Sequence, residues 1–187
     1  MLTSAALVAV AEIGDKTQLL SFVLAARLRK PGAIIAGILF ATLLNHALAG
    51  TVGVWLARLV AASWLPWLTG GLFIAFGLWA LSPDALDDEP AMYRAGAFIT
   101  ALVAFFIAEM GDKTQFATMT LAARFPGALP AVVLGTTLGM LLANVPAVLL
   151  GDRLLRRLPL RIIRWLAATA FMLTGVWTLL GAAGLSS

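Results

Sequence analysis

Six apolar runs follow one another along this chain, over residues 2–26, 32–57, 65–82, 95–123, 127–150 and 162–183. Each is close to the ~20 residues that cross a bilayer core ~30 Å thick. Pro and Gly punctuate the joins, as in "RKPG", "SPDALDDEP" and "RFPG", where they break helices and mark turns. The runs are too long and continuous for strands, and none alternates as the ~10-residue segments of a membrane barrel do. The chain is 61% hydrophobic and 12% charged, whereas a soluble domain is roughly half apolar and a quarter charged. Core helices of a soluble protein would show more polar faces than these runs do. The expected fold is an all-α integral membrane protein with six transmembrane helices.

The net charge of +4 does not indicate a nucleic-acid partner. Most Lys and Arg residues lie in short joins, where they set topology, and no basic stripe with interleaved aromatics accompanies them. There are no cysteines, which excludes disulfides, thiolate metal sites and cysteine nucleophiles. The opening "MLTSAALVAVAE" lacks a positive leader region and carries an acid where a cleavage site would lie. The first run is therefore expected to stay in the mature protein.

The chain repeats itself. "AEIGDKTQ" at 11–18 returns as "AEMGDKTQ" at 108–115, and "LAAR" at 24–27 returns at 121–124, both 97 positions on. Beyond the next join the offset is 98, and Gly37, Gly53, Phe73, Gly77 and Trp79 match Gly135, Gly151, Phe171, Gly175 and Trp177. The expected organisation is a first three-helix repeat over 1–82, an acidic linker over 83–94 and a second three-helix repeat over 95–187. Three spans per copy is an odd number, so the copies are expected to be inverted in the membrane. Many secondary transporters are built this way, with their site near the midplane between the repeats.

Orientation follows from the positive residues. With the N-terminus outside, Arg27, Arg29, Lys30, Arg94, Arg153, Arg156, Arg157, Arg161 and Arg164 fall inside, and only Arg58 and Arg124 outside. Both termini are expected outside and the linker in the cytoplasm. Trp55, Trp64, Trp67 and Trp165 stand at span ends and read as interfacial anchors.

The repeated motif places charge where charge is costly. Glu12 is ~16 Å along a helix from the chain start, and Arg27 ~22 Å further on, which puts the motif near the bilayer centre. A charged group there costs at least ~2.5–3.5 kcal/mol. Glu12, Asp15, Lys16, Glu109, Asp112 and Lys113 must therefore meet one another, an ion or water. On a continuous helix the Glu, Asp and Lys of each copy share a face, while Thr17 and Gln18 turn to neighbouring faces. Gly14 and Gly111 permit either close approach of a facing helix or local unwinding that bares carbonyls. Four carboxylates and two ammoniums sum to −2. A divalent cation neutralises that charge, and so do two protons. Carboxylate, amide and hydroxyl oxygens are hard ligands that suit Ca²⁺, Mn²⁺ or Mg²⁺. The lysines read as structural counter-charges for an Asp of their own or the opposite copy. The bland alternative is a salt-bridge cluster that only pins helices together.

At these residues the chain resembles a family with paired E-x-G-D-K-[ST] motifs, the GDT1 or calcium/manganese cation exchangers, once known only as an uncharacterised protein family. The resemblance spans nearly the whole chain. It implies transport of Mn²⁺ or Ca²⁺ in exchange for protons, with manganese export in bacteria and no permanently bound cofactor. It places the cation at Glu12, Asp15, Glu109 and Asp112. Lys16, Thr17, Lys113 and Thr114 complete the motifs, and Gln18 and Gln115 follow as amide-oxygen candidates. Asn45, His46 and Asn144 are unusual polar residues in spans two and five, fit either to line a pathway or to bond across helices. The expected setting is a bacterial inner membrane, and a homodimer is compatible with the sequence.

Three rivals remain. The carboxylates can bind a cationic organic solute, such as an amino acid, in a six-helix exporter. A passive cation channel is a second. An intramembrane aspartyl protease is a third, but a Lys beside each Asp fits poorly with a proton-sharing dyad.

Overall fold

A computed structural model describes residues 1–82, 96–150 and 160–184. The linker expected at 83–94 lies outside them, as do Arg94, Arg153, Arg156 and Arg157. The described residues form eight α-helices: α1 Leu2–Glu12, α2 Lys16–Leu28, α3 Pro31–Leu59, α4 Leu65–Trp79, α5 Ala97–Glu109, α6 Lys113–Arg124, α7 Leu129–Leu150 and α8 Leu160–Ala182. A short 3₁₀ turn, Pro126–Ala128, leads into α7. No strand occurs among the described residues.

Three segments are long and apolar enough to cross a membrane, Pro31–Leu59, Pro126–Leu150 and Arg161–Ala182. Leu2–Glu12, Leu65–Trp79 and Ala97–Glu109 are shorter apolar helices. The outer surface is apolar as well. Phe40, Leu44, Leu48, Leu142, Leu173 and Trp177 are exposed, and so are the four anchor tryptophans, while Glu12, Glu109, His46 and Asn144 are fully buried. This inside-out distribution of polarity is that of a chain solvated by lipid.

The motif runs are not continuous helices. In the first, α1 stops at Glu12, Ile13 is extended, Gly14 turns left-handed at φ +85° and Asp15 is extended again before α2 begins. The second copy repeats this path through Met110, Gly111 at φ +73° and Asp112. The expectation that Glu, Asp and Lys share one helix face is thereby corrected. Glu closes one helix and Asp caps the next, with a sharp turn between them. Of the two uses left open for the glycines, unwinding is the one adopted, because the left-handed region is costly for a residue with a Cβ. Nothing stands within 4 Å of a Cβ added at Gly111. Gly111→Ala therefore meets no clash, and its whole effect is conformational. A loss of about 1–2 kcal/mol in unfolding free energy, measured in detergent, is expected.

The two motif runs are packed into each other's surroundings. Helix α3 lies against α5 and α6, while α1 and α2 lie against α7. Matched glycines let these pairs close. A Cβ on Gly37 would stand 2.7 Å from the Phe98 carbonyl of α5, and one on Gly135 would stand 2.5 Å from the Met1 carbonyl at the start of α1. Helices α4 and α8 pack on each other, and their pair covers α6 and α1. Phe73, Phe76 and Phe171 fill that side with Leu7, Leu121 and Val132. A second apolar cluster joins Leu20, Leu24, Ile34, Ile38, Phe105 and Val148.

Candidate metal centre

The two helix breaks meet inside the protein. Each is held by its own glutamine. Gln18 Oε1 accepts the Gly14 N–H at 2.8 Å, and Gln115 Oε1 accepts the Gly111 N–H at 2.8 Å. A side chain in the first turn of a helix thus reaches back to a backbone donor ahead of the cap, as capping glutamines do. Gln18 Nε2 also donates to the Ala143 carbonyl at 3.0 Å. The amide oxygens expected as ligands from the sequence each accept the N–H of their own turn.

The lysines cross over. Lys113 Nζ lies 2.7 Å from Asp15 Oδ1, and Lys16 Nζ lies 3.1 Å from Asp112 Oδ1. Each motif therefore supplies the counter-charge for the aspartate of the other. The pairs differ in setting, since the Lys113 side chain is 4% exposed and that of Lys16 is 26% exposed.

Three carboxylates converge. Glu12, Asp15 and Asp112, all buried, each offer an oxygen within 4.8 Å of the others. Oxygens on opposite sides of a Ca²⁺ ion bound at 2.3–2.6 Å stand about 5 Å apart, so the cluster has the span of a single hard cation. Thr17 Oγ1 donates to Glu12 Oε2, and Thr114 Oγ1 donates to Asp112 Oδ2 at 3.1 Å. Glu12 Oε1 is buried without a hydrogen-bond partner. A buried oxygen in that condition is costly, and an ion among the three carboxylates satisfies it.

Glu109 is not in this cluster. His46 Nε2 lies 3.0 Å from its Oε1, and Asn45 Nδ2 donates to its Oε2 at 3.2 Å. Asn45 Nδ2 also reaches the Phe106 carbonyl at 3.1 Å. Asn144 accepts from Ser21 Oγ at 2.8 Å and turns its amide to the Met140 carbonyl of its own helix. Asn45, His46 and Asn144 are thus all engaged, and two of them stand against an acid of the motif, Asn45 by a hydrogen bond and His46 by an ionic contact to Glu109.

The family model of the GDT1 divalent cation/proton antiporters matches residues 1–88 and 97–185. The chain belongs to this family. It is accordingly an integral membrane transporter and not an enzyme, and its metal is cargo. A Vibrio cholerae serotype O1 protein named "Putative manganese exporter" is 50% identical over 171 residues, 91% of this chain and 86% of that protein. "GDT1-like protein 5" of Arabidopsis thaliana is 29% identical, over 95% of this chain and 93% of its own. "GDT1-like protein 4" of the same plant is 28% identical over 92% of each. No solved structure matches the chain.

A narrow crevice reaches the centre of this antiporter. It is lined by Val10, Ile13, Gly14, Asp15 and Lys113 from the motif runs and by Ala80, Arg164 and Ala167 from the α4 and α8 side. A larger cavity of about 500 Å³ opens near the other ends of the same helices, among Thr3, Ser4, Arg124, Phe125, Thr178 and Gly181. Phe73, Leu121 and Val132 line that cavity and belong to the apolar cluster with Leu7 and Phe171. The crevice touches Asp15, whereas the cavity is lined by none of the motif acids.

Proposed function

We propose that this chain exports Mn²⁺ from the cytoplasm in exchange for protons, with Ca²⁺ as a second substrate. The observation that carries the reading is the convergence of Glu12, Asp15 and Asp112 beside crossed lysine–aspartate pairs. The name carried by the Vibrio cholerae relative favours manganese. Counted with each broken run as one span, the helices make six, arranged as inverted repeats over 1–82 and 95–187 about a linker at 83–94. Both termini lie outside in a bacterial inner membrane. On that topology the Asp15 crevice, bounded by the C-terminal side of α4 and the N-terminal part of α8, faces the cytoplasm, so the ion loads from within.

In this scheme the ion enters past Arg164 and binds the three carboxylates, with Glu12 Oε1 gaining its missing partner. Protons entering from outside neutralise the carboxylates once the ion has left, so that the site does not return empty and charged. An organic cation fits less well, because three ligand oxygens within 4.8 Å of one another leave room for an ion and none for a carbon chain.

Everted membrane vesicles test the proposal. Vesicles bearing the wild-type chain are expected to accumulate Mn²⁺, and Ca²⁺ less readily, with matching alkalinisation of the lumen reported by a pH dye. Mn²⁺ movement indifferent to an imposed pH gradient overturns proton exchange. No movement of either metal overturns the function.

A further inference from the structure

Two glutamates identical in motif position are treated differently. Glu12 has one oxygen bonded by Thr17 and the other without a hydrogen-bond partner. Glu109 also has one oxygen without a hydrogen bond, but His46 Nε2 stands 3.0 Å from that oxygen in an ionic contact, and Asn45 donates to the other. The sequence explains the inequality. At the repeat offset of 98, Asn45 and His46 correspond to Ala143 and Asn144. Ala143 has no side-chain donor, and Asn144 is occupied by Ser21 and Met140. The second half therefore has no counterpart of the pair that holds Glu109. His46 is in turn tied to the second half, since its Nδ1 lies 3.4 Å from Thr137 Oγ1 on α7.

We propose that Asn45 and His46 form a dock that keeps Glu109 off the cation in the cytoplasm-facing state, and that Glu109 leaves the dock to bind the ion when the protein faces outward. Asp15 and Asp112 stay with the ion throughout, and the two glutamates take turns. Asn45 and His46 are positioning residues in this scheme, and Glu109 is the ligand they govern. The dock limits the inward-facing site to three carboxylates, and cation affinity follows the number of charged ligands. A site that held all four would bind the ion too firmly to release it.

This inference rests on the cation-exchange reading, and the test separates the two. Mn²⁺ binding to the purified full chain is measured by titration calorimetry, and turnover is measured in proteoliposomes. Asn45→Ala and His46→Leu free Glu109, so Mn²⁺ is expected to bind about tenfold more tightly, as an added carboxylate ligand implies, while turnover falls. Adding Glu109→Gln to either variant is expected to cancel the gain in affinity. His46→Gln keeps a donor toward Glu109 and is expected to match wild type in affinity and in proton-coupled flux. Affinity unchanged or weakened in Asn45→Ala overturns the dock, as does a gain that survives Glu109→Gln. Loss of proton coupling in His46→Gln also overturns it, because His46 then acts by carrying a proton. Should His46→Leu fail to fold, Asn45→Ala with and without Glu109→Gln decides the matter alone. A wild-type chain that neither binds nor moves Mn²⁺ refutes the function itself rather than the dock.

Discussion

Vesicles carrying Glu12→Gln are expected to take up Mn²⁺ slower than wild type by on the order of a hundredfold or more, since loss of even an outer-shell partner of a metal costs 10–100-fold. The substitution removes one of the three converging carboxylates, and with it the oxygen that has no hydrogen-bond partner. It leaves the fold intact. The amide is nearly the same size, its oxygen still accepts from Thr17, and no larger group enters the buried site. Thermal unfolding in detergent without metal is therefore expected at or above the wild-type temperature. A variant that is both inactive and unfolded contradicts this account, because Glu12 would then be a structural residue.

The second large effect is on stability. Lys113→Met is expected to cost about 3–5 kcal/mol, the range for breaking a buried ion pair by removing one partner. Asp15 is buried, and the ammonium 2.7 Å from its Oδ1 disappears. Lys16→Met is expected to cost distinctly less, since Lys16 is 26% exposed and water already shares its charge. The double variant Asp15→Asn/Lys113→Met is expected to recover most of the loss, as replaced buried pairs do, yet to stay inactive for want of a ligand. Denaturant unfolding of the four proteins in one detergent gives the comparison. Equal losses for Lys113→Met and Lys16→Met refute the assignment.

Helices and motif positions were readable from the sequence because each rests on composition over many residues. Apolar runs near 20 residues and a 97-residue echo do not depend on fine geometry. The breaks at Gly14 and Gly111 were not readable, because glycine inside a membrane helix serves close packing as readily as unwinding. The glutamines were readable as polar groups near the site but not as clasps for those turns. Capping by Gln18 presupposes a helix start at Lys16 that periodicity does not mark. The crossed pairing of Lys16 and Lys113 was one of two options, and only tertiary packing chooses between them. Sequence alone groups Glu109 with Glu12, because their local sequences agree. The difference lies in α3 and α7, where Asn45 and His46 stand opposite Ala143 and Asn144, and its meaning emerges only once α3 packs on α5.

The crossed lysines also bear on how such a chain can change over time. Lys16 serves Asp112 and Lys113 serves Asp15, so neither copy of the motif is chemically complete alone. A substitution in one copy strands a charge belonging to the other. The duplicated halves are thereby denied the independent drift that duplication normally allows, and a viable change of charge at the centre must arrive in both halves together.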